Sequence, residues 1–264
     1  MKRAYIIIAC CAAIALAAAF IPIPGTSAEP LANQSDDLLA VYDPDSLSHR
    51  TIQYEGFTVT FAPEHHQPAF VAWEINAEKA TAEVADRKDS NFRPDDSVDG
   101  CPTLSDYRRS GYDRGHMAPA ADMKWSKQAM DDCHYLTNIC PQHSALNGGP
   151  WATVEKNTRL WTQRFGQLYI IAGPILNDIL SETIGETEVT VPKRFFKVII
   201  APYADTPMGI AFLMPNRQFE GGAQATVTSI DNIEAITGYD FFAALPDDIE
   251  QYVEQQHTLA PWNH

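Results

Sequence analysis

An acid, an arginine, a glycine and a histidine stand in a row at Asp113, Arg114, Gly115 and His116, opening the stretch DRGHMAPAAD. Alone the run is ordinary: Asp113 and Arg114 can pair at a surface, Gly115 can turn, and His116 is one of eight histidines. Its chemistry depends on what lies downstream. There Asn147, Trp151, Glu155 and Arg159 recur every four residues. At about 100° per residue each step drifts by only about 40°, so the helical members share one broad face. Taken singly, Glu155 with Arg159 is a helix-surface ion pair, and Asn147 ahead of Pro150 is an N-cap or near-cap residue. Set opposite His116, the same residues provide a base near neutral pH, an oxygen ligand for a hard cation, a carboxylate and, with Arg114, two arginines. Those are the needs of metal-assisted phosphodiester hydrolysis: activated water, a neutralised phosphate and a stabilised leaving oxygen. The usual protease parts are missing, since there is no HExxH pair and no GxSxG elbow, and no glycine-rich phosphate cradle is present.

The elements that must position these residues follow from periodicity. Pro150 suits the first turn of a helix. Trp151, Val154, Leu160 and Trp161 supply its apolar face to about Arg164, after a loop at Pro141 to Gly149 and a short strand at Tyr135 to Ile139. A strand-strand-helix hairpin would bring His116 opposite Asn147. Upstream, TIQYEGFTVTFAPE and AFVAWEINA alternate apolar and polar residues and predict two early strands. LYIIAGPIL, EVTVPKRFFKVII and GIAFLMP predict three more, two of them apolar enough for burial on both faces. In SIDNIEAITGYDFFAAL, Ser229 and Asp231 can cap a late helix, Ile230, Ile233 and Ile236 keep helical spacing, and Gly238 stops it. The expected fold is α/β of the mixed α+β kind, with a central antiparallel or mixed sheet flanked by helices. It should form one domain over residues 50–264, preceded at 29–49 by an acidic linker or N-terminal arm.

Composition is that of a globular chain: 264 residues, 45% hydrophobic and 20% charged. Disordered and fibrous classes are excluded. Residues 1–28 carry Lys2 and Arg3, an apolar run and a small-residue stretch ending at Ala28, the pattern of a cleaved signal peptide. The expectation is therefore a secreted or periplasmic protein with no stable membrane association after cleavage; the alternative is an uncleaved membrane anchor. Outside that segment Cys101, Cys133 and Cys140 remain. On a strand Cys133 and Cys140 would stand about 23 Å apart at roughly 3.3 Å per residue, too far to bridge, so an intrachain disulfide would need Cys101. The net charge of −15 argues against broad attraction to nucleic acid. From Arg108 to Arg164, however, eight basic residues face five acidic ones, which suits a small anion-binding patch on an acidic body.

DRGHMAPAAD, TNICPQ and NGGPWATVE together resemble the signature of the DNA/RNA non-specific endonucleases, and SGYDRGH, KQAMDDCHYLTN and NFRPDD are most similar to the endonuclease G branch. The resemblance covers roughly residues 50 to 245. It implies a ββα-metal finger in which His116 is the general base that takes a proton from the attacking water. It implies Asn147 as the direct protein ligand of Mg²⁺, with Mn²⁺ or another divalent cation able to substitute, and Glu155 acting through a cation-bound water. Arg114 would stabilise charge on the phosphate, Arg159 and Asn138 would help place the nucleic-acid backbone, and Asp113 would support from behind. A substrate-contacting arginine falls on Arg93, with Arg87 as the alternative. The implied activity is hydrolysis of DNA and RNA to 5′-phosphate ends with little sequence specificity, since contacts would go to phosphate and sugar. The resemblance also leaves room for a homodimer. Two readings compete: a nucleic-acid-binding protein on this fold without catalysis, and a hydrolase of small or lipid phosphodiesters.

Overall fold

The computed structural model describes residues 37–178 and 181–263. In chain order its principal strands are β1 (Arg50–Tyr54), β2 (Phe57–Ala62), β3 (Gln67–Asn76), β4 (Asp113–His116), β5 (Ile139–Gln142), β6 (Gln167–Pro174), β7 (Arg194–Ala201), β8 (Met208–Pro215) and β9 (Val227–Thr228). The main helices are α1 (Lys127–Asp132), α2 (Ala152–Phe165), α3 (Ile230–Thr237) and α4 (Asp247–Glu254). Among the described residues seven strands form one sheet in the order β9-β8-β7-β6-β3-β2-β1, and every neighbouring pair is antiparallel. The fold is thus α+β. Strands β4 and β5 stand apart as a separate hairpin.

Side chains alternate along each strand, so the sheet feeds two cores. Phe195, Ile199, Ile170, Trp73 and Phe212 pack on one face with Trp151, Val154 and Trp161 of the α2 segment. On the other face Phe196, Val198, Ile200, Tyr169 and Ile171 meet Ile230 and Ile233 of α3, Phe241, Phe242 and Val253 of α4. Trp161 lies nearly parallel to Phe212, with ring centroids 6.5 Å apart, and packs against Trp262 at 4.8 Å. The reaction-competent residue types therefore sit on the α2 face, and the other face is a helical cover.

Several boundaries differ from the sequence reading. TIQYEGFTVTFAPE is a hairpin rather than one strand, because Gly56 at φ +92 makes the turn between β1 and β2. Tyr135 to Ile139 is a 3-10 turn at Leu136–Asn138 leading into β5, so the paired strand is shifted downstream. In EVTVPKRFFKVII the strand breaks at Pro192, which has no N–H for a ladder; Val189–Thr190 pairs with Thr183–Ile184, and β7 begins at Arg194. Helix α3 matches expectation, with Ser229 accepting from the Asn232 N–H at 3.1 Å and Gly238 closing it in the left-handed conformation at φ +79. Helix α4 was not foreseen. The acidic arm expected at 29–49 is, from Leu38 onward, part of the folded body: Leu38 is buried, and Val41 and Tyr42 pair with Phe241 and Asp240. Cys101, Cys133 and Cys140 are all free thiols, so no bridge uses Cys101.

Gly173 in β6 is set by close approach. A Cβ there would stand 2.4 Å from the Ala69 carbonyl oxygen and 3.0 Å from the Phe196 ring. Gly173→Ala should lower stability by about 1–3 kcal/mol, read as a drop in urea midpoint at unchanged m-value.

Candidate active site

The β4–β5 hairpin pairs Arg114 with Pro141, Gly115 with Cys140 and His116 with Ile139. Gly115 is where the hairpin closes on itself: a Cβ would come within 2.2 Å of Gln142 Oε1 and 2.7 Å of its Cβ. Strand alternation then puts Arg114 and His116 on one side. Beyond β5, Ser144–Leu146 begin a helical run with the His143 ring accepting from the Ala145 N–H at 3.1 Å. The run widens into a π-turn at Asn147–Trp151, where Gly149 leaves helical geometry at φ −113 and ψ −112, and continues as α2. Asn147 therefore lies inside a helical run, as the C-cap of Ser144–Leu146, and is not an N-cap. Its Nδ2 donates to Asp113 Oδ2 at 2.9 Å, which leaves its carbonyl oxygen for a ligand. The Trp151 indole N–H donates to the His116 carbonyl at 3.2 Å and ties the helix to the strand.

These elements enclose a cleft of about 320 Å³ lined by Arg87, Arg114, His116, Lys124, Asn147 and Glu155, among others. The Arg114 guanidinium is exposed and lies 4.5 Å from the Phe92 ring centroid. His116 forms the buried wall of the cleft at 8% exposure, packed 5.1 Å from both Phe92 and His134. Burial, then the charges of His134, Arg87 and Arg114, hold the His116 imidazole well below its usual range. It is neutral at physiological pH. Its Nε2 is enclosed without a hydrogen-bond partner among the described residues, and the residue lines the cleft.

Beneath the cleft lies a group of charges that the sequence reading did not identify. Lys197 points from the middle of β7 into the α2-side core, 1% exposed, with its ammonium 4.2 Å from the Trp151 ring centroid and 5.4 Å from that of Trp73. Asp122 accepts from Arg159 Nη1 at 2.8 Å and from the Trp73 indole at 3.1 Å. Burial pushes Glu155 up to about 7 against the opposing pull of Lys197, with Asp122 pushing the same way as burial. Burial likewise lowers Lys197 and raises Asp122. A lone lysine in an otherwise apolar strand was the available signal.

Of the residues singled out by sequence, Arg114, His116, Asn147 and Glu155 converge, and three do not. Arg93 makes a two-pronged pair with Asp131 at 3.1 and 2.8 Å and stacks 3.9 Å from Tyr135; of the two upstream arginines, Arg87 is the one that lines the cleft. Asn138 is fully buried, accepting from the Ala118 N–H and donating to the Ala118 and Cys133 carbonyls, each at 2.9 Å. With those bonds made it clamps the loop after His116 and has no reach to a substrate. Arg159 turns to Asp122, neither to Glu155 nor into the cleft. As to a cation, the Asn147 carbonyl and the Glu155 carboxylate are hard oxygen donors in an otherwise open cleft. That set fits Mg²⁺, which keeps most of its water and takes one or two protein oxygens.

A ββα hairpin-and-helix site beside an antiparallel sheet defines a class, and the sequence match agrees: the chain belongs to the DNA/RNA non-specific endonuclease family, whose model covers residues 34–248. It is 35% identical over 208 residues to the mitochondrial nuclease EXOG of Danio rerio, covering 73% of this chain and 60% of that one. It is 32% identical over 201 residues to the mitochondrial endonuclease G of Homo sapiens, covering 71% of this chain and 67% of that one. A crystal structure of an EndoG/EndoGI complex matches with TM-score 0.70 and 27% identity, over 74% of this chain and 86% of that one. The chain thus spans roughly three fifths to two thirds of these curated relatives. The relatives correct the expectation of export, because they are mitochondrial nucleases. The residues 1–28 on which that expectation rested lie outside the described residues. An apolar run behind two basic residues does not by itself define a destination. Among the described residues no helix is long and apolar enough to cross a membrane.

Two outcomes follow from this geometry. Because the folded His116 pKa lies below its ordinary 6.5, its contribution to stability is present above pH 6.5 and is lost as pH falls toward the folded value. Glu155 and Glu254, raised to about 7 and about 8, take up protons on folding and act in the opposite direction, so the expected readout is a difference: on acidification below pH 6.5 the melting temperature of His116→Ala should rise relative to that of the wild type. Gly115→Ala should destabilise the protein by about 1–3 kcal/mol and reduce turnover even where it is fully folded, since the hairpin must open at Gln142.

Proposed function

We propose that the protein is a divalent-cation-dependent endonuclease that hydrolyses the phosphodiester backbone of both DNA and RNA, its domain extending over residues 50–264 with the preceding 37–49 packed onto it. The observation that carries this reading is the convergence of Arg87, Arg114, His116, Asn147 and Glu155 on one cleft. The His116 imidazole accepts a proton from water, whose oxygen attacks phosphorus as the bond to the 3′ oxygen breaks, and the departing 3′ oxygen takes a proton from solvent, leaving a 3′-hydroxyl and a 5′-phosphate. Because the imidazole stays neutral well below pH 6.5, the base is available across the physiological range. Arg114 and Arg87 take the phosphate oxygens, and Arg114 is kept in place by the Phe92 ring. Asn147, fixed by Asp113, and Glu155 would hold Mg²⁺, which supplies charge neutralisation at the phosphate and at the leaving oxygen. Arg159 and Lys197 set the charge beneath Glu155. Contacts to phosphate and sugar through Arg87 and Arg114 carry little sequence preference.

The test is incubation with supercoiled plasmid and with RNA, in Mg²⁺, in Mn²⁺ and in EDTA. Both substrates should be degraded with either cation and neither in EDTA. His116→Ala should lower turnover by about 10²–10⁴-fold with cation binding intact, and Asn147→Ala should lose cation-dependent cleavage. Arg87→Ala should weaken cleavage more than Arg93→Ala. Plasmid bound but uncut in Mg²⁺ would instead establish a non-catalytic nucleic-acid-binding protein. Cleavage restricted to a small diester would establish the other hydrolase class.

A further inference from the structure

The sheet face opposite the cleft carries an unusual charge distribution. From Ser229 to Glu254 the chain has seven acidic residues and no lysine, arginine or histidine. Most of these are on α3, α4 and the short strand Asp240–Phe241 between them. Carboxylate oxygens of Asp231, Glu234 and Glu254 lie within 4.8 Å of one another, and so do those of Asp240, Glu250 and Glu254. Glu254 belongs to both groups. It is only 8% exposed, and its Oε1 is buried without any hydrogen-bond partner. Its neighbours do not satisfy it: Glu234 uses Oε1 to accept the Phe241 N–H at 2.8 Å, and the charges acting on Glu254 are those of Glu234, Glu250, Asp231 and Asp240. Burial and these like charges raise its carboxyl to about 8.

We propose that Glu254, with Asp231 and Glu234 on α3 and with Asp240 and Glu250 flanking, forms a second cation site for a hard divalent ion such as Ca²⁺. A buried carboxylate oxygen with no partner among converging carboxylates needs positive charge. A proton neutralises one of these groups, whereas a divalent cation neutralises two and brings coordination to several oxygens. The number of carboxylates favours Ca²⁺, which accepts about six to eight oxygens in flexible geometry, over Mg²⁺, which demands a near-octahedral shell and sheds its water reluctantly. The exposed Asp231 and Asp240 leave room for water to complete the shell. The site clamps α3 to α4. Helix α4 is itself pressed onto the sheet, since a Cβ at Gly209 of β8 would stand 2.3 Å from the Val253 carbonyl, and Gln256 Oε1 accepts the Gly209 N–H at 3.1 Å. The ion's role is therefore to hold the helical cover on the sheet.

The test uses the full chain in the Asn147→Ala background, so that cation binding in the cleft does not contribute, and compares thermal unfolding in about 1 mM CaCl₂ with that in EGTA, alongside calorimetric titration of Ca²⁺. Calcium should raise the melting temperature by about 5 °C, with one ion bound per chain and a smaller effect from Mg²⁺. Adding Glu254→Gln should abolish both the shift and the binding, while melting in EGTA no lower than its parent, because a neutral amide of the same shape replaces a carboxyl that is protonated when no ion is bound. Asp231→Asn with Asp240→Asn, both at exposed positions, should weaken binding without loss of folding. Absence of a calcium shift in the Asn147→Ala protein, or a shift that survives Glu254→Gln, would overturn the proposal and leave Glu254 as a protonated core residue.

Discussion

A lysine held away from water in the middle of a β-sheet is the constraint around which the cleft is built. Lys197 cannot leave the α2-side core, because its strand is hydrogen-bonded on both sides to β6 and β8. An isolated buried ammonium is strongly disfavoured, so the surroundings must supply negative charge and polarisable faces. They do so with Glu155, Asp122 and the rings of Trp73 and Trp151. Arg159 completes the balance on the Asp122 side. Two cations and two carboxylates under one aromatic cover form a unit in which removing any single member leaves a partner uncompensated. The Glu155 carboxylate that reaches the cleft is the outer member of this unit, and its position and charge state follow from it.

Above that unit the hairpin and helix are locked by a few directional bonds rather than by bulk packing. Asp113 fixes the Asn147 amide, the Trp151 indole fixes the His116 carbonyl, and Asn138 fixes the loop that leaves β4. Each joins two segments distant in sequence. The result is a preorganised set of polar groups, which does not have to reorganise when charge develops on a phosphate. The neutral His116 belongs to the same design, because packing against Phe92 and His134 keeps it rigid as well as deprotonated.

The acidity of the chain, at −15, is compatible with an anionic substrate because the charges are segregated. Arg87, Arg114 and Lys124 line the cleft, whereas the acidic segment from Ser229 to Glu254 contributes to the helical cover on the far side of the sheet. A positive cleft on a negative body can draw an anion locally while the body as a whole disfavours broad adsorption to nucleic acid.

The family signature, the four-residue spacing of Asn147, Trp151, Glu155 and Arg159, the late helix and most central strands were legible in the sequence, because each depends on local periodicity or on a contiguous motif. The turn at Gly56, the break at Pro192 and the existence of α4 were harder, since they turn on one residue or on packing to a distant strand. What only the tertiary structure decided was where the long side chains go. Arg93 and Arg87 are six residues apart in one loop, and the choice between them was made by Asp131, which captures Arg93, and by the fold, which aims Arg87 into the cleft. Asn138 and Arg159 have the residue types of substrate-binding groups, but backbone carbonyls and Asp122 engage them first. Lys197 was invisible as chemistry because its partners come from the turn at Asp122 and from helix α2, and only three-dimensional packing joins them. A sequence specifies which groups a chain carries and the period with which they recur; which charges meet, and which are buried, is set by contacts between segments that no local pattern records.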